Sequence, residues 1–431
     1  MKNYSQNIMG DSLTGALLAL EGIKDGLVIL NGPTGCKFYH SAISDGQYPR
    51  QLSFDPLNFP EEFYFGQPRI PCTYLDGYDY VYGASDKLKK ILKTIKEDEY
   101  SFLAIVNSPG AALIGDDLNR FIKNEVKGIH CISIESTGFS GFFSDGFQKA
   151  MIKVLEDILN ETKETIPNSV NLIGIPIYDL YYEGNIKEIK RILNLCGIKV
   201  ISTLCAGDSI KTLKNASKAE YNIVLSAEYG LDIAKWMDKH YHIPYLLLEK
   251  GAPIGFDATK EMIEQLSNVL KIHMDLFIEE LEKARARSYL YISRFHSLTG
   301  LPKGATFSIK AEASRAYALT KWLYTYLGML PVSIEIVKSS NTLFEEKLLQ
   351  FLKDLSYEEV LSTLISERVG QILFADGNTI AQLRWNEKKF TGIEISLPSL
   401  GYLHIIPKSI FGISGSLMII EQILNGLRFL S

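Results

Sequence analysis

The sequence predicts an α/β protein: three Rossmann-like domains with mostly parallel sheets around a central cleft. Three observations lead there. Short apolar runs alternate with amphipathic stretches through most of the 431 residues, the pattern of βαβ units and a parallel sheet. That length allows about two to four domains. The composition, 46% hydrophobic and 22% charged, is that of an ordinary globular chain.

Taken in order, residues 1–165 form the first domain. Runs 26–31, 101–107 and 128–135 read as buried strands, and 85–95 and 145–160 as helices. Residues 41–82 break the pattern. They hold Pro49, Pro56, Pro60, Pro68 and Pro71 among many Tyr and Phe. A long irregular insertion is usually functional or disordered, and the aromatic content points to an ordered, packed loop. The second domain, 166–287, has strands at 170–175, 198–204, 221–225 and 245–248. Helices at 185–195, 209–216 and 231–239 lie between them, and one long helical stretch, 258–287, bridges to the next domain. The third, 288–407, has helices at 311–327 and 342–355 and strands at 330–337 and 371–374. Residues 408–431 carry an apolar-faced helix, 414–427, expected to pack back on the first domain.

Bulk properties exclude several functions. A net charge of −5 argues against general nucleic-acid binding, which needs a basic surface. No basic segment followed by an apolar stretch opens the chain, and no uncharged apolar run reaches the ~18 residues that span a bilayer. A cytoplasmic protein with no membrane partner is expected. Five cysteines make no disulfide framework. In a reducing compartment a conspicuous cysteine is more often metal-binding or catalytic. There is no Walker A sequence and no His-Glu-x-x-His.

One cysteine is conspicuous. The strand 26–31 runs into Gly32-Pro33-Thr34-Gly35-Cys36, a turn in which Gly35 can adopt angles closed to other residues and Pro33 fixes its own φ. Cys36 is thereby presented at the carboxyl end of a strand, where open α/β sheets place their ligands. It reads as a metal ligand or a nucleophile, with a small buried packing residue as the plainer alternative. Cys72 lies in the aromatic insertion, and packing and ligation both fit it. Cys131 and Cys196 read as core residues, while Cys205 follows a strand and faces a possible cleft. The glycine-rich stretch from Gly138 through Gly141 to Gly146 precedes a helix. It suits an anion at the helix N-terminus, or a loop shaped for a partner or cluster.

Together these motifs resemble the nitrogenase component 1 family, which includes nitrogenase catalytic subunits, cofactor-assembly scaffolds and dark-operative protochlorophyllide and chlorin reductases. Gly32-Pro-Thr-Gly-Cys36 is similar to the family's Gly-Pro-x-Gly-Cys cluster-ligand turn. Tyr74 to Gly83 resembles the segment ending in Asp-x-Val-Phe-Gly-Gly. Leu113-Ile-Gly-Asp-Asp117 matches Ile-Gly-Asp-Asp, and Ser136-Thr-Gly-Phe-Ser-Gly141 resembles a Gly-Phe-x-Gly loop. The second-domain pattern from Ile201 to Tyr245 also follows the family, and the resemblance thins after about residue 290.

The resemblance implies a cluster ligand at Cys36, with Gly32, Gly35, Gly138 and Gly141 in the loops that cradle the cofactor. The family's other two ligand positions fall near Gly10 and Pro109, neither of which can ligate. Cys36 and Cys72 from two copies would supply four thiolates, the number that holds one [4Fe-4S] cluster. That implies one cluster per dimer, with a second copy or a homologous subunit as partner. The catalytic subunit's cofactor-binding cysteine falls near Ser226, and a hydroxyl is a poor ligand for soft metal chemistry. Dinitrogen reduction is therefore not expected. Cys205, Ser226, His40 and His296 are the candidates to line the cleft, which would take an organic substrate or an additional cofactor. The implied function is a nitrogenase-like reductase fed by a separate ATP-hydrolysing iron–sulfur protein. A scaffold for metallocluster assembly and a metal-free binding protein on the same fold are its rivals.

Overall fold

A computed structural model describes residues 10–33, 70–83, 85–93, 100–115, 117–126, 128–135, 141–162, 164–204, 206–397, 399 and 404–430. Among these, three separate sheets, each wholly parallel, organise the chain.

The first sheet has the order β1-β2-β3. Its elements are α1 (Ser12–Glu21), β1 (Gly26–Asn31), α2 (Ser85–Leu92), β2 (Phe102–Asn107), α3 (Leu118–Glu125), β3 (His130–Ile134) and α4 (Phe143–Ile158). Every residue of β1 and β2 is buried, because helices cover both faces. Val28 and Leu30 pack toward α1 and α4, and Leu27 and Ile29 toward α2 and α3. Such two-sided burial is why these strands read as continuous apolar runs rather than alternating ones.

The second sheet, ordered β5-β4-β6-β7, runs through β4 (Ile166–Ile173), α5 (Tyr182–Leu195), β5 (Lys199–Thr203), β6 (Ala219–Val224), α6 (Ala227–Tyr241) and β7 (Tyr245–Leu247). Next come α7 (Phe256–Ser267) and α8 (Asp275–Thr299). The stretch expected as one helix over 258–287 is thus two, and α8 continues unbroken past the expected domain boundary at 287/288. The third sheet, ordered β11-β10-β8-β9, comprises β8 (Thr306–Glu312), α9 (Ala313–Leu327), β9 (Leu330–Val337), α10 (Leu343–Asp354), β10 (Ile372–Asp376), α11 (Gly377–Trp385) and β11 (Thr391–Ser396).

The last helix is α12 (Gly412–Leu430). Among the described residues it packs on α5, α7 and α8 and on β10 and β11, so it ties the second unit to the third. Its N-terminus is fixed from α5. Ser414 donates from both its N–H and its hydroxyl to the buried carboxylate of Glu188, each at 2.9 Å. No helix among the described residues is long and apolar enough to cross a membrane.

Candidate functional site

Two places at the carboxyl ends of strands carry chemistry. The first is the end of β1. Asn31, its last residue, anchors a buried relay. The Gly32 N–H donates to Thr73 Oγ1 (3.0 Å), the Thr73 hydroxyl to Asn31 Oδ1 (2.8 Å), and Asn31 Nδ2 to Asn107 Oδ1 at the end of β2 (2.8 Å). Residues 70–75 thereby run along β1, with Cys72 bridged to Leu30. Gly32 has to be glycine here, since an added Cβ would lie 2.6 Å from Ser108 Oγ.

Cys72, some forty residues from the turn in sequence, therefore sits beside its first residue. The Cys72 thiol faces the Gly32 carbonyl at 3.0 Å, and the Tyr74 N–H points at the sulfur from 3.5 Å. Cys72 is only 4% exposed and belongs to the apolar core. The Tyr74 N–H aimed at the sulfur suits a thiolate, whereas the Gly32 carbonyl accepts from the S–H, so ligation requires that this second contact be exchanged. Cys72 is buried beside Gly32, the first residue of the turn. Gly35, Cys36, His40 and Gly138 lie outside the described residues. The two positions that lack ligands are packed structurally: Gly10 against the Phe143 ring, and Pro109 in a short helix capped by Ser108. Burial pushes the Cys131 thiol up to about 12, with Asp157 adding to the shift, and the Cys196 thiol up to about 11. Both are neutral thiols, Cys196 in the core and Cys131 half-buried against it. Gly141 adopts φ 108° ahead of α4. That helix start already holds an anion of its own, because Asp145 accepts the Phe142 N–H at 2.8 Å. An added anion would compete with that resident carboxylate.

The second place is a cavity of about 750 Å³ bounded by all three units. It opens over the carboxyl ends of β8, β9, β10 and β11, where the third sheet reverses its strand order between β8 and β10. Such a switch point is the usual ligand crevice of an open α/β sheet. Phe143 from α4, Tyr178 after β4 and Tyr229 from α6 form an aromatic wall. The Phe143 ring centroid lies 4.6 Å from that of Tyr178 and 5.9 Å from that of Tyr229. Ile334, Val337 and Leu397 face them from the third unit.

Beneath the cavity a charged seam joins the second and third units. Arg315, on α9 and 2% exposed, pairs with the buried Asp179 and lies 3.9 Å from Glu312 through its Nε. The Tyr229 hydroxyl donates to Glu312 Oε1 at 2.9 Å. Burial pushes the Asp179 carboxyl up, partly opposed by Arg315, while Glu312 adds to the rise. Burial also holds the Tyr229 phenol well above its ordinary value, so it remains a neutral donor. Nearer the mouth, Lys310 donates to Thr379 at 2.8 Å and pairs with Asp376 at 3.1 Å.

Two cleft candidates from the sequence lie elsewhere. Ser226 is buried and hydrogen-bonded to Glu228 (2.8 Å) and Ser314 (3.3 Å), inside the seam rather than on the cavity wall. His296 sits on the exposed end of α8, away from the cavity lining. Cys205 lies outside the described residues. Tyr229, Lys310 and Glu312 are not among the residues that sequence reasoning reaches. The signal that would find two of them is β8, whose end supplies Lys310 and Glu312 and overlaps the helix expected over 311–327. Among the described residues no group of three or more His, Cys, Asp or Glu side chains is arranged to hold a metal ion.

A sequence-family model for the nitrogenase component 1 type oxidoreductases matches residues 12–428. The chain belongs to that family. The nitrogenase iron-molybdenum cofactor biosynthesis protein NifE of Clostridium pasteurianum is 27% identical over 59% of this chain and 52% of its own length. A light-independent protochlorophyllide reductase component of Stigeoclonium helveticum is 22% identical over 74% of this chain and 62% of its own. The chain thus spans about half to three-fifths of these relatives. Among solved structures, nitrogenase Cp1 at pH 6.5 superposes with a TM-score of 0.78 over 98% of this chain and 92% of that one, at 17% identity. The three-unit architecture is therefore that of nitrogenase component 1. Its relatives in the family include oxidoreductases and cofactor-assembly proteins alike.

Proposed function

We propose that the chain is the substrate-reducing subunit of a nitrogenase-like reductase that acts on an organic molecule other than dinitrogen. The observation that carries this reading is the cavity. It is bounded by all three units and walled by aromatic and aliphatic side chains. Cys36 and Cys72 would hold an iron–sulfur cluster at the carboxyl end of β1. When bound, such a cluster supplies one-electron transfer at low potential. Asn31, Thr73 and Asn107 keep the start of the turn and Cys72 in fixed register. The cavity residues bind and orient the substrate and exclude water from it. The electron donor would be an ATP-hydrolysing iron–sulfur protein, and the partner a second copy or a homologous subunit.

The test is anaerobic turnover. Reconstituted protein is mixed with the iron–sulfur reductase protein and MgATP, and the low-temperature electron paramagnetic resonance signal is followed as substrate is added. A reduced-cluster signal that decays with product formation is expected. Transfer of bound metal to an acceptor protein, with no reduction of any added organic substrate, would sink the reading. That outcome would support the second one, a scaffold for cofactor assembly, which the NifE likeness favours.

A further inference from the structure

The cavity's charge and shape say which class of organic molecule it takes. Beneath it, two buried carboxylates share one guanidinium. Arg315 gives its charge mainly to Asp179, and its Nε stays 3.9 Å from Glu312, beyond hydrogen-bond reach. Glu312 is 4% exposed. Its Oε1 is satisfied by Tyr229, while Oε2 has no hydrogen-bond partner. Two carboxyl groups therefore face one guanidinium, and Glu312 Oε2 stands as an open acceptor at the base of the cavity that Glu312 lines. A carboxylate buried without full compensation is costly, and a bound cation removes that cost.

The remaining lining charges do not reverse the sign. Among the described residues, Glu335, Glu345 and Asp376 join Glu312 against Lys310 and Lys338, and Lys310 is engaged by Asp376 and Thr379. The aromatic wall supplies the complementary feature. Phe143, Tyr178 and Tyr229 stand together within 6 Å of one another through Phe143, and clustered ring faces attract cations, most strongly where water is excluded. An anionic ligand would meet the opposite: an open carboxylate oxygen below and apolar rings beside it.

From the open carboxylate oxygen and the aromatic wall together, we infer that the cleft binds an organic cation with a flat apolar body. Glu312 is the countercharge, and Phe143, Tyr178 and Tyr229 form the cage. This rests on the cleft being the substrate site, but it is independent of the electron-transfer chemistry. The two can fail separately, because binding is read on protein that contains no iron.

Three matched probes test it by fluorescence or calorimetric titration: 1-methylquinolinium, its neutral isostere 1-methylnaphthalene, and 1-naphthalenesulfonate. The cation is expected to bind one per chain, about tenfold or more tighter than the neutral isostere, with the sulfonate weakest. Glu312→Gln should collapse the preference for the cation over the neutral probe. Val337→Trp, which fills the cavity from the end of β9, should abolish binding of both. If Glu312→Gln does not fold, the three-probe ranking and Val337→Trp decide alone. Equal or tighter binding of the neutral or anionic probe overturns the inference. So does a cation preference that survives Glu312→Gln, or cation binding that survives Val337→Trp.

Discussion

The cleft has two seams of opposite character. Between the second and third units the contact is buried and ionic. Arg315 pairs with Asp179, Tyr229 donates to Glu312, and Glu228 accepts from Ser226 Oγ, from the Ser314 N–H at 2.7 Å and from the Ser314 hydroxyl at 2.6 Å. The helix α12 adds a third tie through Glu188. Between the first and third units, among the described residues, the polar contacts are few and hydroxyl-based: the buried Ser144 with Ser339 at 3.1 Å, and the exposed Ser340 with Asp145. Charges buried in a seam make it rigid, because opening it strands them. A few hydroxyl contacts cost little to break. Among the described residues the buried charges thus lie between the second and third units, which form a fixed wall holding the ligand's countercharge.

The largest effect should follow from Arg315→Ala. It leaves Asp179 and Glu312 buried without their cation, and removing one partner of such a pair costs about 3–5 kcal/mol. Chemical denaturation measures it, and a loss under about 1 kcal/mol would mean the seam is hydrated rather than dry. Glu228→Gln keeps the shape but turns one charged acceptor into an amide facing its donors. A loss of about 1–3 kcal/mol is expected, again by denaturation.

Acid should act next, through Glu188. Burial works against its charge, but Arg191 and the two Ser414 donors outweigh burial and hold its carboxyl below the ordinary value. A depressed carboxyl contributes stability that is full above its unfolded value, about 4.3, and is lost as pH falls through the folded value. Stability should thus fall below about pH 4.3, and Glu188→Gln should flatten that part of the profile. A variant whose acid profile overlies the parent's would remove Glu188 from the fixed wall. Smallest of all should be Ser339→Ala, within about 1 kcal/mol. If it instead costs as much as Arg315→Ala, the two seams are not different in kind.

Much of this is legible in the sequence, for reasons that also explain the failures. Strands 26–31 and 330–337 can be read correctly because burial leaves an apolar run that local composition reveals. β8 cannot. Its end, Lys310-Ala311-Glu312, continues into Ala313-Ser314-Arg315 with helix-forming residues, so local pattern merges the strand with the helix after it and hides the cavity's charged floor. The break between α7 and α8 contains neither Gly nor Pro. Its mark is tertiary, the burial of Leu270. The turn at Gly32 is plain from local motif, whereas the placement of Cys72 against it depends on Thr73 reaching Asn31 across 42 positions, which no local pattern records. Resemblance and chain position point to Ser226 and His296, but packing sends one into the fixed seam and the other to the outer end of α8.

The central claim is that this family member carries a cluster beside the end of β1 while its cleft takes an organic ligand. The most direct measurement is iron and acid-labile sulfide per chain on protein purified and reconstituted without oxygen, for the parent, Cys36→Ala and Cys72→Ala. About two irons per chain, one four-iron cluster shared by two copies, lost in both variants, is the predicted result. Protein that stays colourless and iron-free after reconstitution, or one that keeps its full iron in Cys36→Ala, would contradict it.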